Sequence, residues 1–254
     1  MKFKKPNFIA DSSEDAKNYL KTIKEKYHFF SQSEADIIVV LGGDGFMLDV
    51  LKKYQNLNLP FYGINQGTVG FLMNQKQDEN LINKLNEAEE TVIHPLKMHA
   101  KKLDGTIEHH LAVNEISILR SGSQAAKLKI IVDDLVRLEE LVCDGALVST
   151  PAGSTAYNYS AHGPILPIDS NILALTAMAA FRPRRWRGAL IPSNAKIEFF
   201  IKDYNKRPVS AYADSKEVKN ISSVKIESVD DVYYKLLFDK GHGLQERILR
   251  EQFF

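Results

Sequence analysis

The sequence predicts an N-terminal small doubly wound α/β domain followed by a C-terminal β-rich domain. Three observations lead to this fold class. Strand and helix patterns alternate up to about residue 90, which is typical of a parallel sheet covered by helices. Residues 36–41 (DIIVVL) form a β-branched apolar run, as in a strand buried on both faces. Beyond residue 91, strand-like runs follow one another with turn residues between them.

Residues 1–90 predict a small doubly wound α/β unit. Ser12 or Ser13 can cap its first helix, whose apolar residues share one face. Glycines separate the second strand from the second helix, so this loop lies at the carboxyl ends of the strands, where ligands bind in open α/β sheets. The expected elements are strands at 8–10, 36–41 and 60–64 and helices over 14–27, 46–54 and 78–88.

Residues 91–240 predict a mostly antiparallel β domain. Asp104-Gly105 fits the primed turn of a hairpin, and one helix over about 153–161 interrupts the strands. Residues 241–254 form a C-terminal tail that can pack back on the first domain. The candidate strands are 98–103, 106–110, 127–132, 135–138, 197–201, 209–213, 224–227 and 232–238.

Composition and charge exclude several classes of protein. The 254 residues include 33 Lys and Arg against 32 Asp and Glu, which gives a net charge of +1. A near-neutral chain has no global field that draws it to nucleic acid or to an anionic membrane. The single cysteine, Cys143, excludes an internal disulfide framework and multi-cysteine metal sites. Because we find neither a signal-peptide pattern nor an apolar run of about 18 residues, we expect a cytoplasmic protein.

Gly42-Gly43-Asp44-Gly45 stands at the junction of a strand and a helix. Glycines let the backbone approach a phosphate closely, and the following helix offers free N–H groups to an anion. The carboxylate of Asp44 repels phosphate, but it can hold a sugar hydroxyl beside a bound phosphate or accept the proton of that hydroxyl. The alternative is that Asp44 only caps the helix that begins near Phe46.

Two further segments are rich in polar side chains. Asn114-Glu115 interrupts an apolar strand, and an amide next to a carboxylate can read a base edge and a ribose; the alternative is an exposed strand end. In residues 144–160 (DGALVSTPAGSTAYNYS), a short strand runs into Pro-Ala-Gly before Ser154 and Thr155 open a helix. The start of this helix offers hydroxyls, free N–H groups and two tyrosine rings, which suit an adenine and its sugar. The alternative is an ordinary helix N-terminus whose two tyrosines pack against the protein.

Taken together, these motifs resemble those of the NAD kinases, a family of the diacylglycerol-kinase and phosphofructokinase-like superfamily. The resemblance covers nearly the whole chain, and the motifs occur in the same order. It implies an α/β domain, a β-rich domain and NAD in the crevice between them. The motifs that carry it are Gly42-Gly43-Asp44-Gly45, Gly63-Ile64-Asn65, Gly70-Phe71-Leu72, Asn114-Glu115 and residues 149–157 (STPAGSTAY).

The resemblance implies ATP-dependent phosphorylation of the 2′-hydroxyl of the adenosine ribose of NAD, which gives NADP. Asp44 would accept the proton of that hydroxyl. Gly42, Gly43 and Gly45 would let the backbone follow the phosphates. A divalent cation, expected to be magnesium, would travel on the nucleotide.

The same resemblance assigns the dinucleotide contacts mainly to the second domain. Tyr157 would stack on the adenine, which Asn114, Ser154 and Thr155 would also address. Glu115 would meet ribose hydroxyls. Five more residues are expected contacts, the first two toward the nicotinamide ribose: Asp144, Ala152, Ala156, Asn158 and Ser160.

The chain departs from the family pattern at several positions. Phe46 follows the glycine-rich loop where many relatives have threonine, and Asp49 stands where many carry a basic residue. We therefore assign no phosphate-binding cation there. Ala152 replaces a frequent threonine, and Asp214-Ser215 stands where relatives often show Asp-Gly, which leaves Asp214 as a candidate contact.

Residues 182–187 (RPRRWR) form a dense patch of cations around the only tryptophan. Trp and Arg are enriched in interface hot spots, and closed symmetric oligomers are common. We therefore expect this patch to contact a second subunit in a homodimer or homotetramer. The alternatives are that its arginines attract the ATP phosphates or that it is a solvated loop.

The sequence is also compatible with two other functions. One is a lipid or sugar kinase of the same superfamily, although a lipid kinase calls for a basic, apolar surface that this composition does not favour. The other is a non-catalytic regulator that binds a dinucleotide, which would not need a carboxylate at residue 44. An assay for NADP formation separates these functions from a NAD kinase.

Overall fold

The computed structural model describes residues 2–67, 70–76 and 80–253. The chain forms two units, of which the first comprises Met1–Ile93 and Val232–Phe254 and the second His94–Asp231. Strands alternate with helices in the first unit, whereas the second consists mainly of strands. Both observations agree with the predicted fold class.

The first unit is built on one five-stranded sheet. Its strands have the order β1-β2-β3-β17-β4, in which the first four are parallel and β4 runs antiparallel along β17. The described elements of this unit are β1 (Pro6–Ala10), α1 (Glu14–Lys26), β2 (Ile37–Gly42), α2 (Asp44–Tyr54), β3 (Phe61–Asn65), α3 (Leu81–Glu87), β4 (Glu89–Ile93), β17 (Tyr234–Phe238) and α5 (Leu244–Glu251).

Local sequence explains most of these elements. The hydroxyl of Ser13 accepts the backbone N–H of Ala16 and caps α1. All six residues of β2 are buried, as the continuous apolar run predicts for a central parallel strand. The helix predicted over 78–88 is shorter, Leu81–Glu87, and residues 77–79 lie outside the described residues.

The strand β17 corrects the predicted domain boundary. Residues up to 240 were expected in the β-rich domain, but β17 pairs with β3 and β4 in the first sheet. An apolar run identifies a strand without identifying its partner, because the choice of partner depends on residues far away in the sequence. The C-terminal segment that includes α5 also belongs to the first unit, with Leu244 and Ile248 buried.

The second unit contains two six-stranded sheets, of order β12-β11-β10-β7-β14-β15 and β6-β5-β16-β13-β8-β9. All pairings between these strands are antiparallel, as predicted, and apolar residues of both sheets form one core. The described elements are β5 (Leu96–Lys102), β6 (Ile107–Ala112), β7 (Glu115–Arg120), β8 (Ala126–Val132), β9 (Leu135–Cys143), β10 (Gly145–Ser149), α4 (Tyr157–Ser160), β11 (Ile172–Met178), β12 (Gly188–Pro192), β13 (Ile197–Ile201), β14 (Val209–Ala213), β15 (Lys216–Val218) and β16 (Ile221–Ser228).

The helix predicted over 153–161 is confined to α4, and turns replace its first part. Within the described residues, no helix has the length and apolar character needed to cross a membrane.

Candidate active site

Asp44 lies where β2 gives way to α2, at the carboxyl end of the parallel strands. The helix begins at Asp44 itself, and Gly43 is its N-cap residue without a side-chain capping bond. The Asp44 carboxylate instead accepts two backbone N–H groups from a distant segment, those of Phe71 at 2.7 Å and Leu72 at 2.9 Å. The alternative that Asp44 only caps the helix is therefore wrong.

The three glycines of this loop differ in what surrounds them. A Cβ atom added to Gly42 would lie 2.8 Å from the ring of Phe46, so this glycine is needed for close packing. A Cβ atom on Gly43 or Gly45 would meet no atom of the described residues within 4 Å. The packing of the described part of the chain therefore does not require glycine at these two positions and leaves space beside them.

The electrostatic surroundings of Asp44 favour a basic carboxylate. Burial raises the pKa of Asp44 above its ordinary value, and this is the largest effect. The N–H groups of Phe71 and Leu72 and the positive charge of Arg247 lower it again. Asp44 is therefore partly desolvated, yet it is held in a fixed orientation by backbone donors.

Arg247, on α5, is a residue of this site that sequence reasoning missed. Its guanidinium hydrogen-bonds the carbonyl groups of Gly70 and Phe71 at 3.2 and 3.0 Å, in the same segment that binds Asp44. An arginine in a short amphipathic C-terminal helix looks like an ordinary surface charge. No local sequence pattern connects it with a carboxylate about 200 residues earlier.

In the second unit, Asp214 holds the segment that carries Asn114 and Glu115. Its carboxylate accepts three consecutive backbone N–H groups, from Val113 at 2.9 Å, Asn114 at 2.9 Å and Glu115 at 3.3 Å. Asp214 lies in the turn between β14 and β15, with a φ of 52°. The candidate contact at Asp214 is therefore a structural anchor for this segment.

Glu115 is the first residue of β7 and is only 8% exposed, so the alternative of an exposed strand end is wrong. Burial raises its pKa to about 8, with a further contribution from the charge of Asp214, whereas a backbone hydrogen bond with Tyr157 lowers it. Its Oε2 atom is buried and has no hydrogen-bond partner among the described residues. A buried acceptor of this kind is costly unless a ligand or a proton satisfies it.

The turn that follows β10 packs closely on this segment. The N–H of Thr150 donates to the carbonyl of Asn114 at 2.9 Å, and its hydroxyl donates to the carbonyl of Val113 at 2.8 Å. A Cβ atom on Gly153 would collide with the backbone of Asn114. The structure thus brings the predicted pair Asn114-Glu115 together with the turn at 150–153, which lies within the predicted segment 144–160.

Two of the predicted contact residues use their side chains inside the protein. The hydroxyl of Ser154 donates to the carbonyl of Pro151 at 2.7 Å and accepts the N–H of Leu166 at 3.0 Å. The Asn158 amide donates to two carbonyls and accepts the hydroxyl of Thr176 at 2.6 Å. Because both side chains are fully buried and satisfied, they hold the turn together and are not free to contact a dinucleotide.

The neighbouring tyrosines are accessible instead. Tyr157 is 39% and Tyr159 41% exposed, so the alternative that both tyrosines serve as core packing is wrong. Thr155 and Ala156 are partly exposed and Ser160 is exposed, which leaves all three available for contact.

Asp144 and Ala152 are less suited to the predicted contacts. Asp144 forms an ion pair with Arg120 at 2.6 Å. It precedes β10, five residues or about 17 Å along the strands from the level of Glu115, so the structure does not bring these two carboxyls together. Ala152 is buried and offers little surface to a ribose.

The cation patch 182–187 lies on the surface of the second unit. Its four arginines are exposed, and two of them lie over the ring of Phe181, with the guanidinium of Arg182 at 5.7 Å from the ring centroid. Trp186 is partly buried against the core. Among the described residues, no group of three or more His, Cys, Asp or Glu is placed to hold a metal ion.

Comparison with known proteins places this chain among enzymes that transfer a phosphoryl group. The model of the ATP-NAD kinase N-terminal domain matches residues 3–93, and that of the ATP-NAD kinase C-terminal domain matches residues 113–238. A curated relative from Cereibacter sphaeroides (strain ATCC 17029 / ATH 2.4.9), named NAD kinase, is 56% identical over 246 residues, 97% of each chain.

Solved structures share the fold. The yeast NADH kinase complexed with NADH has a TM-score of 0.82 at 19% identity, over 100% of this chain and 88% of its own. An NAD kinase from Archaeoglobus fulgidus in complex with ATP has a TM-score of 0.75 at 25% identity, over 98% of each chain. The chain belongs to the NAD kinase family, as its motifs predicted, and it is therefore an enzyme of the phosphotransferase class.

Proposed function

We propose that this chain phosphorylates the 2′-hydroxyl of the adenosine ribose of NAD with ATP and so forms NADP. Its relatives are named NAD kinases, and related structures contain NADH or ATP, which supports both substrates. The observation that carries the catalytic assignment is the Asp44 carboxylate, which two backbone N–H groups orient at the end of the parallel strands. The open space beside Gly43 and Gly45 leaves room for phosphates.

In the proposed reaction, Asp44 accepts the proton of the 2′-hydroxyl while the hydroxyl oxygen bonds to the γ-phosphorus of ATP. The bond between that phosphorus and the bridging oxygen breaks, and ADP leaves. A carboxylate has about four acceptor positions, so Asp44 can bind the hydroxyl without releasing Phe71 or Leu72. Burial makes it a stronger base than an exposed aspartate. Magnesium enters bound to the phosphates of ATP, as part of that substrate.

The second unit supplies the contacts to the adenosine. The exposed ring of Tyr157 is the stacking surface for adenine, and Thr155, Ala156 and Ser160 surround it in the sequence. Glu115 receives a ribose hydroxyl, which supplies the hydrogen bond that its Oε2 atom lacks within the described part of the chain. Asp214 and Thr150 fix the backbone of Asn114. A fixed backbone holds Asn114 in one place, so we keep it as a proposed contact for the adenine.

The test is a coupled assay of NADP formation by the purified chain, with ATP and polyphosphate as donors and with NAD and NADH as acceptors. We expect NADP from NAD and ATP. Phosphorylation of diacylglycerol or of a free sugar, without NADP, would point to the other kinases of the superfamily. Binding of NAD with no turnover on any donor would instead identify a dinucleotide-binding regulator.

We further propose that the protein acts in the cytoplasm as a homodimer or homotetramer. The near-neutral charge and the exposed surface around residues 182–187 support this assignment. Gel filtration with light scattering tests the oligomer, and cell fractionation tests the compartment.

A further inference from the structure

Arg247 makes an unusual number of bonds to one short backbone segment. Its Nη1 group, whose two hydrogens are shared among three acceptors, lies within hydrogen-bond distance of the carbonyl groups of Gly70 at 3.2 Å, Phe71 at 3.0 Å and Met73. Its Nη2 group lies 3.3 Å from the side-chain oxygen of Asn74. A guanidinium holds its donors in a fixed plane, so it can contact these acceptors at once without losing much side-chain freedom for each bond.

The same segment binds Asp44 through its N–H groups. Phe71 donates its N–H to the Asp44 carboxylate and offers its carbonyl to Arg247, so one residue contacts both side chains. Leu72 supplies the second N–H to Asp44. The orientation of the carboxylate thus depends on a segment whose carbonyl groups Arg247 holds in place.

Arg247 is itself fixed from several sides. Its Nε atom donates to the carbonyl of His242 at 2.9 Å, and its guanidinium lies 4.9 Å from the centroid of the Phe238 ring. Burial lowers the pKa of Arg247, and the negative charges of Asp44 and Asp239 and the Tyr62 phenol raise it again. The positive charge of Arg247 therefore acts on the Asp44 carboxylate through space, and no direct ion pair joins these two described side chains.

We propose that Arg247 is the positioning residue for Asp44: it fixes segment 70–74, whose N–H groups orient the carboxylate that accepts the proton. This inference rests on the proposed function, in which Asp44 is that acceptor. The α5 helix thereby becomes part of the catalytic apparatus, although it lies at the other end of the sequence.

The test compares Arg247→Gln and Arg247→Lys with Arg250→Gln. Arg250 is an exposed residue of the same helix that pairs with Glu246 at 2.8 Å, and its loss should leave turnover unchanged. We expect both Arg247 variants to lose at least about tenfold in kcat, with the KM for NAD nearly unchanged, because misplacement of a reacting group slows the chemical step.

The pH dependence of kcat separates positioning from simple folding support. In Arg247→Gln, loss of the positive charge raises the pKa of Asp44, so the acidic limb of the profile should move to higher pH. Arg247→Lys keeps the positive charge but loses the planar set of donors of the guanidinium. Its kcat should therefore be low, while the acidic limb of its pH profile should stay near that of the unmodified enzyme. A few millimolar guanidinium should restore part of the kcat of Arg247→Ala.

Two results would overturn the proposal. One is a folded Arg247→Lys variant with the kcat of the unmodified enzyme. The other is an Arg247→Gln variant that melts at a lower temperature but keeps its kcat and the acidic limb of its pH profile. If Arg247→Gln does not fold, Arg247→Lys decides the question alone. Asp44→Asn serves as the reference. If that variant keeps wild-type turnover, the proposed base is wrong; if it loses turnover while the Arg247 variants do not, only the positioning role is wrong.

Discussion

Asp214 holds the backbone of Glu115 and at the same time raises the pKa of its carboxyl. The Asp214 carboxylate accepts the Glu115 N–H at 3.3 Å, and the Asp214 N–H donates to the Glu115 carbonyl at 3.1 Å. Burial is the main cause of the Glu115 pKa of about 8, and the negative charge of Asp214 adds to it. Glu115 is therefore mostly protonated at neutral pH when no ligand is bound.

This pKa predicts a pH-dependent stability. The unfolded carboxyl titrates near 4.5 and the folded one near 8, so the contribution of Glu115 is fully present below pH 4.5 and is lost as the pH rises through 8. We expect the melting temperature of the unmodified protein to fall relative to that of Glu115→Gln between pH 5 and 8. Thermal melts of both proteins across this range test the prediction, with exposed Glu25→Gln as the control. A constant difference between the two proteins would contradict it.

The fold could be predicted from the sequence where one local pattern was sufficient. The run at 36–41 predicts the buried parallel strand β2, and Ser13 marks the start of α1. The apolar run of β17 predicts a strand equally well, but not that it joins the first sheet. That pairing depends on contacts between residues about 175 positions apart, which no local periodicity contains.

The candidate site, like the fold, could be predicted only where a local sequence pattern marks it. Polar density over residues 144–160 predicts a site for an adenine and its sugar, but it does not separate side chains that face a ligand from those that bind the backbone. Ser154 and Asn158 belong to the second kind, whereas Tyr157 is exposed and is a candidate for the first. Arg247 had no local signal at all, because its partners are carbonyl groups, which every residue possesses.

Asp44→Asn tests the proton acceptor. We expect turnover to fall by about 10²–10⁴, the usual worth of general-base catalysis. The structure also predicts some loss of stability, because the Asn amide can accept from Phe71 or Leu72 through only one oxygen. Steady-state kinetics and melting temperature should be measured together, with Asp49→Asn, an exposed carboxylate on the same helix, as the control. Wild-type turnover in a folded Asp44→Asn protein would refute the assignment.

Gly45→Ala tests whether the glycine-rich loop must accommodate a ligand. The new methyl group meets no atom within 4 Å among the residues that the structure describes, and Gly45 lies in the first turn of α2. Alanine should therefore raise the stability by about 0.5–1 kcal/mol. If phosphates approach the backbone here, the KM for ATP should nevertheless rise or kcat should fall. Gly122→Ala, which also enters open space, is the control for the loss of activity. A more stable variant with unchanged kinetics would show that no ligand needs this space.

Tyr157→Ala tests the stacking surface. If the ring stacks on adenine, NAD affinity should fall by about 0.5–1.5 kcal/mol beyond the effect of the buried area, while kcat at saturating NAD changes less. Tyr159→Ala is a matched control, since Tyr159 lies two residues further on the same short helix and is equally exposed. Titration calorimetry measures both affinities. Equal NAD affinity of Tyr157→Ala and the unmodified protein would contradict stacking.

Self-association should involve the surface around residues 182–187. Phe181 is 55% exposed, and Leu190 on the outermost strand β12 is 57% exposed, whereas Trp186 packs against the core and is less available. Exposed apolar residues beside arginines are typical of an interface. Light scattering should give at least twice the 28.7 kDa of one chain, and joint replacement of Arg184 and Arg185 by alanine should lower that mass. Exposed Arg137→Ala, in the other sheet, is the control. If the double variant keeps its mass but has a higher KM for ATP, the arginines bind the triphosphate instead. A monomeric mass of the unmodified protein at micromolar concentration would contradict the oligomer itself.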